Sequence, residues 1–384
     1  MTINQTTGVY TPAAGATSAT PGQVVQSAVW DNVHTDMSSG FTTTIQALQS
    51  TFGWRNLCFM NGSFEIWQRG AGTSSSIAVG ATTTAYTSDR WYLATGANQA
   101  SVVAAVTGIV NGSRLAAKVQ RNNGQAGTTQ MFFGFPFDGD ESAMMAGQIV
   151  ALSFTAKAGA NFSPTSGTLS ASLNTGTGAP VKFSGGTYAG AAQPIAAVAC
   201  NLTTSATRFT MVSTAVPTTV SQAEVTFTWT PVGTAGADDS FTIDDVQLEI
   251  LPNATSPIAQ FERLPFEFQR TMCKRHYRKS FAYGTAPAQN AGLIGASILI
   301  EQAATASCFW IPHPITMRTT PTFTTFNPAA TNANANSNSA AATLAVSIDS
   351  VGINSPDIGM IYVTSSGASA GAFVAIHWQA DAGI

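Results

Sequence analysis

Apolar and hydroxyl-bearing side chains alternate strictly along several stretches of this sequence, and that alternation allows few folds. In Glu224-Val-Thr-Phe-Thr-Trp-Thr230, Val225, Phe227 and Trp229 are separated by threonines. In Gln148-Ile-Val-Ala-Leu-Ser-Phe-Thr-Ala-Lys157, Val150, Leu152 and Phe154 take the apolar positions. A period of two sends successive side chains to opposite faces, so each stretch predicts a strand with one buried and one wet face. Turn-forming pairs such as Asn122-Asn-Gly124 and Gly185-Gly186 separate these runs. No alternation of strand and helix appears, which argues against a parallel sheet. The expectation is a mostly β protein built on a jelly-roll-type β-sandwich.

Composition supports an ordered chain. Only 9% of the 384 residues are charged, against roughly 25% in ordinary soluble domains. Low charge alone would fit a disordered segment, but the net charge is -3 and there are 22 Phe, 7 Trp and 7 Tyr to fill a core. Near-neutral charge also argues against nucleic acid as a partner. No secretory leader is visible in Met1 to Tyr10, and the apolar stretch Ala291 to Ile300 is short for a membrane helix. The sequence therefore predicts synthesis in the cytoplasm and no membrane insertion. Cys58, Cys200, Cys273 and Cys308 lie far apart without ligand-type spacing and read as buried free thiols.

Four segments follow from the patterning. Residues 1–55 combine a Thr/Ala/Gly/Pro-rich arm with a helical stripe: Val25, Val29, Val33, Met37, Phe41, Ile45, Leu48 and Phe52, bent near Gly40. That stripe needs a partner surface, whether copies of itself, another protein or the β-domain of its own chain. Residues 56–262 form the sandwich. Residues 263–280 hold six basic side chains (Arg263, Arg270, Lys274, Arg275, Arg278, Lys279) and predict one linking helix opened by Pro265, with Phe268, Met272 and His276 on one face. The basic residues read as its solvated face. Residues 281–384 return to strands: Leu344, Val346 and Ile348 alternate, Phe373 to Trp378 forms a closing run, and Ala329 to Ala342 reads as an exposed loop.

Several short motifs then fall in order. They are Asn61-Gly-Ser-Phe-Glu-Ile-Trp-Gln-Arg-Gly70 with Tyr86-Thr-Ser-Asp-Arg-Trp91, Asp244-Asp-Val-Gln-Leu-Glu249, Phe261-Glu-Arg with Cys273-Lys-Arg-His-Tyr277, Met317-Arg-Thr-Thr-Pro-Thr322, and His377-Trp-Gln-Ala-Asp-Ala382. Together they resemble a family of phage tail-fibre and minor structural proteins. The resemblance implies a carbohydrate-binding-module-like sandwich, often in a trimeric fibre, with a second β-domain at the tip. It also implies the partners: other virion proteins through residues 1–55, further copies in a homotrimer, and a host-surface glycan or protein. The implied location is the virion, at the tail. A head fibre or capsid decoration protein is the alternative, and a polysaccharide depolymerase a remote one. The sequence ends Asp381-Ala-Gly-Ile384, where the family more usually has an acidic residue before a final Leu.

Candidate chemistry is sparse. Trp67, Trp91 and Trp229 read as core rather than sugar platforms, and Arg69, Asp89 and Arg90 as mutual partners at the sandwich edge. The cluster Asp238, Asp239, Asp244, Asp245 and Glu249 invites calcium, but a turn and a solvent-facing strand explain it more simply. His34, His276, His313 and His377 are scattered, and no hydrolase, P-loop or dinucleotide motif appears. No catalytic residue, metal ligand or cofactor is expected, and ligand-binding residues are left unassigned.

Overall fold

The computed structural model describes residues 2–3, 10–11, 56–58, 60–184, 186–300, 307–338, 343–348, 352–363 and 371–384. The chain divides into two units, Met1–Arg55 and Asn56–Ile384. In the first, β1 (Thr2–Ile3) pairs antiparallel with β2 (Tyr10–Thr11). The helical stripe expected between Val25 and Phe52 lies outside the described residues.

In the second unit, two six-stranded antiparallel sheets face each other. One runs β11 (Ala192–Asn201), β10 (Thr168–Gly176), β13 (Gln222–Trp229), β8 (Met131–Phe137), β5 (Tyr92–Ala94), β4 (Thr84–Tyr86). The other runs β12 (Thr207–Val212), β9 (Ile149–Ala158), β14 (Ser240–Leu251), β7 (Leu115–Arg121), β6 (Ser101–Thr107), β3 (Ser76–Val79). The chain crosses repeatedly between the two sheets, so sequence neighbours such as β8 and β9 lie on opposite walls of the core. This is the expected β-sandwich.

The alternating residues meet between the walls. Val225, Phe227, Val150, Leu152 and Phe154 are fully buried, and Phe154 packs edge-on against Phe227 with ring centroids 4.7 Å apart. Trp91 is the hub, with its centroid 5.0 Å from both Phe64 and Phe133 and 5.2 Å from Phe135. The opposite face is not wet, as the alternation had suggested. Glu224, Thr226 and Ser153 are buried as well. Covering groups explain this: the backbone of Phe183 and Ser184 bonds Glu224 and Tyr92 over one sheet, and Arg208 reaches Ser153 over the other.

The linking helix is shorter than expected. After the short helix α1 (Gly139–Ala143), the chain forms α2 over Phe266–Cys273, with Pro265 at its N-cap, and turns into β15 (Tyr277–Lys279). His276 and Tyr277 thus leave the helical face, because β15 pairs with the closing strand β23 (Phe373–Asp381) in the register Tyr277↔Asp381. Beside β15 on β23 lies β16 (Ser297–Ile300); β18 (Thr322–Phe326) and β19 (Ala335–Ser337) also pair with it. A second layer holds β17 (Ser307–Pro312), β22 (Ile358–Val363) and β21 (Val346–Ile348), while β20 (Thr343–Leu344) joins β19. Strand β19 lies inside the stretch expected to be an exposed loop, and its Ala335 and Ser337 are buried. One apolar core draws on residues from Leu57 to Cys273 and another on residues from Phe309 to Ala382, both within the same compact unit.

Candidate functional site

The ordered motifs converge in space, and what they build is a fastening. Asn61 (φ 129°), Phe64 (φ 53°) and Arg90 (φ 71°) hold left-handed backbone conformations that side chains seldom adopt. Asn61 fixes this turn by donating to the carbonyls of Ile66 (2.9 Å) and Asp89 (3.0 Å). Trp67 and Trp91 are fully buried, as expected, and each indole N–H donates to a carbonyl, of Phe64 and Asn61 respectively. Trp229 is also largely buried.

Arg69, Asp89 and Arg90 do not pair with one another, contrary to expectation. Asp89 accepts from the backbone and side-chain nitrogens of Gln68 (2.6 and 2.7 Å). Arg90 bonds Glu141 at 2.7 Å, the carbonyl of Pro136 and the ring of His276. Arg69 reaches Asp381. The Cys273 thiol donates to the carbonyl of Met60, and the N–H of Ala382 to that of His276. Each motif therefore grips another that is distant in the chain.

One trio escaped the sequence reading. Asp138, Glu141 and His276 bring ligand-type atoms within 4.8 Å of one another. Arg90 already bonds Glu141 and His276, and Arg275 lies 3.3 Å from Asp138. Burial and the Arg90 charge keep His276 well below the usual imidazole range. Guanidinium groups thus already contact all three residues, Arg90 two of them and Arg275 the third, so the trio reads as a buried charge network.

The acidic cluster is not on a solvent-facing strand, as had been expected. Asp239, Asp244, Asp245 and Glu249 are buried on β14 or just before it. Asp239 pairs with Arg121 (2.7 Å), Asp245 with Arg263 (2.8 Å) and Asp238 with Lys118 (2.7 Å). Asp244 accepts from the N–H groups of Ile109 and Asp245 and from Ser113, and Glu249 from the N–H of Ala259. Burial and the neighbouring Asp245 charge push Asp244 up to about 7. Every carboxylate of this cluster thus has a partner, and within the cluster Asp245 Oδ1 alone is buried without one.

Two recesses among the described residues have linings of chemical interest. The first, about 340 Å³, lies beside β10 and β13 and is lined by Gln130, Thr168, Ser170, Thr228, Thr230 and Trp229, with Pro164, Thr165, Ser166 and Val232 around them. No side chain in that lining titrates. It offers hydroxyl and amide groups on strands and adjoining turns beside the largely buried Trp229. The second, about 250 Å³, is lined by Arg270, Lys274, Arg278 and Lys279 with Gln68, Ser280, Phe281 and Tyr283. Of the six basic residues expected to form a solvated helix face, these four instead line a cavity, while Arg263 pairs with Asp245 and Arg275 with Asp138. Their clustering near α2 was visible in the sequence; the far wall, Gln68, was not.

No family model matches this chain, and no curated protein matches it. Among solved structures, it is similar to the enzymatically active domain of bacteriophage CBA120 tailspike protein 4, at 14% identity and a TM-score of 0.30, over 50% of this chain and 21% of that one. It is similar to the CBM22-1 xylan-binding domain from Paenibacillus barcinonensis Xyn10C at 12% identity and a TM-score of 0.30, over 50% and 93%. It is also similar to TmCBM61 in complex with beta-1,4-galactotriose, at 13% identity and a TM-score of 0.26, over 42% and 88%. The match therefore spans about a fifth of the tailspike and most of each binding module.

Proposed function

We propose that this protein is a bacteriophage virion component, a tail fibre or receptor-binding protein, that attaches to a host-surface glycan and does not cleave it. The observation that carries the binding half is the recess beside β10 and β13. Its hydroxyl and amide lining can exchange hydrogen bonds with sugar hydroxyls. Hydrolysis of a glycosidic bond ordinarily needs two carboxyl groups flanking it. This lining offers none. The virion half is supported by the ordered motifs of residues 61–382, and residues 1–55 would join the protein to the particle. Several copies in a trimer would raise the modest affinity of one site.

The test is calorimetric titration of the full chain with a panel of neutral oligosaccharides, xylo- and galacto-oligosaccharides included, alongside a reducing-end assay. Binding of at least one sugar, weakened by Thr228→Val and without new reducing ends, supports the reading. No binding across the panel, or release of reducing ends, overturns it. Immunogold labelling of particles tests the location: label on the capsid rather than the tail would favour a head fibre.

A further inference from the structure

The second recess gathers four cations that lack matching counter-charge. Arg270 lies in the last turn of α2, Lys274 caps that helix, and Arg278 and Lys279 follow on β15. Arg270 stacks over Tyr283 at 5.2 Å and approaches Glu267 only at 3.4 Å, where that carboxylate is 70% exposed. Its Nε is buried without a partner. Lys279 donates to the carbonyls of Thr285 (2.7 Å) and Tyr283 (3.2 Å), which supply dipoles but no charge. Arg278 donates to the carbonyl of Pro312 and meets the ring of His313. The Lys274 backbone N–H bonds back into α2, but its side chain has no hydrogen-bond or ion-pair partner among the described residues. The carboxylates that act on these lysines are Glu267 and Asp89, and both oxygens of Asp89 are already held by Gln68.

Like charges held together in a partly desolvated recess destabilise one another. Burial, with Arg270 and Arg278 behind it, lowers Lys274. Burial likewise brings Lys279 down to about 8, with Asp89 opposing and Arg270 reinforcing the shift. A bound oxyanion would relieve this, and a doubly charged one more than a carboxylate. Guanidinium and ammonium donors both suit phosphate oxygens. The recess, about 250 Å³, is larger than one phosphate and leaves room for the group that carries it. Gln68, Ser280 and Tyr283 line that space with polar atoms already bonded within the protein, Gln68 to Asp89 and Tyr277, Ser280 to His377 and Trp378, Tyr283 to Glu65 and Trp67.

We propose that this recess binds a phosphate monoester, as a site separate from the uncharged recess beside β13. The experiment is calorimetric titration of the full chain with glucose 6-phosphate, glucose and inorganic phosphate. Glucose 6-phosphate is expected to bind more tightly than inorganic phosphate, with glucose silent at the same concentration. Lys274→Glu should weaken glucose 6-phosphate binding by about tenfold or more with an unchanged melting temperature. Arg270→Gln, whose only ion pair is the long one to Glu267, gives a second variant should the first not fold. Equal binding of glucose and glucose 6-phosphate would sink the proposal, as would wild-type affinity in both variants. Inorganic phosphate binding as tightly as the sugar phosphate would overturn the preference for an ester. Lys274→Glu should leave any neutral-oligosaccharide binding intact, so this site and the uncharged one can fail independently.

Discussion

Arg69 and Asp381, 312 positions apart, form a two-pronged ion pair in which Nη1 and Nη2 donate to the two carboxylate oxygens at 2.6 and 3.0 Å. The guanidinium also lies over the rings of Tyr277 (4.0 Å) and Tyr86 (4.7 Å). Asp381 closes β23 while Arg69 belongs to the Trp67-Gln-Arg-Gly turn, so the pair ties the closing strand to the start of the sandwich. Residues of four motifs meet around this joint: Gln68 with Asp89, Arg90 with His276, Ala382 with His276. Their order in the sequence is thus explained by their joint work in packing, without any shared catalytic task.

Replacing Asp381 by Asn is expected to lower the unfolding free energy by about 1–3 kcal/mol, because one arm of the fork loses its charged acceptor. Burial alone would raise the Asp381 carboxyl, but the Arg69 charge and hydrogen bond outweigh that and hold it below the usual range. Such a lowered group stabilises the fold above the normal carboxylate range and loses that contribution as pH falls through its folded value. Urea titrations should therefore show the gap between wild type and Asp381→Asn closing below about pH 4. A gap that stays constant down to pH 2 would show that the pair contributes nothing through charge.

Trp91→Ala should destabilise the sandwich by about 3–5 kcal/mol, the range for deleting a large buried aromatic side chain. The ring contacts to Phe64, Phe133 and Phe135 disappear, and the carbonyl of Asn61 loses the indole N–H that it accepts at 3.0 Å. Trp91→Phe keeps part of the packing and should fall between. Equal unfolding midpoints for the two variants would contradict this account.

Residues that act through their immediate neighbours were readable in advance. The period of two gave β9 and β13, and the size of Trp67 and Trp91 gave their burial. What the sequence hid depends on distant partners. His276 and Tyr277 fit the helical spacing of Phe268 and Met272, yet pairing with β23 draws them out of α2. The acids of β14 looked solvent-facing because their cations, Arg121 and Arg263, lie on other elements. The basic recess was half visible, as a cluster of cations, and half hidden, since its shape needs Gln68 from the opening of the sandwich.

Gly134 occupies a position on β8 where no side chain fits. A Cβ there would stand 2.2 Å from Glu224 Oε1 and 2.6 Å from the Tyr92 ring. Gly134→Ala must displace one of them, and both are hydrogen-bonded in place at 2.6 Å. Overpacking of this kind costs about 1–3 kcal/mol, and loss of the buried bond adds to it. A melting temperature equal to wild type would mean that the Tyr92–Glu224 contact moves freely.

Glu224 gives the sharpest pH prediction. Burial pushes its carboxyl up to about 7, against hydrogen bonds from Tyr92, the Phe183 N–H and Thr226 that favour the ionised form. Because the folded value exceeds the unfolded one, the folded state holds a proton that the unfolded state has released between roughly pH 4.5 and pH 7. This contribution to stability is complete below pH 4.5 and declines as pH rises through about 7. Buried His276, His313 and His377, all lowered by burial, act in the opposite direction over an overlapping range, so wild type alone will not display it. Glu224→Gln isolates it. The amide oxygen can still accept from the Phe183 N–H, and the amide nitrogen can donate to the Tyr92 and Thr226 oxygens. Relative to wild type, the variant should gain stability from pH 4.5 to pH 8, by up to about 3 kcal/mol for a shift of this size. Parallel stability curves for the two proteins across that range would show that Glu224 is ionised in the fold at ordinary pH.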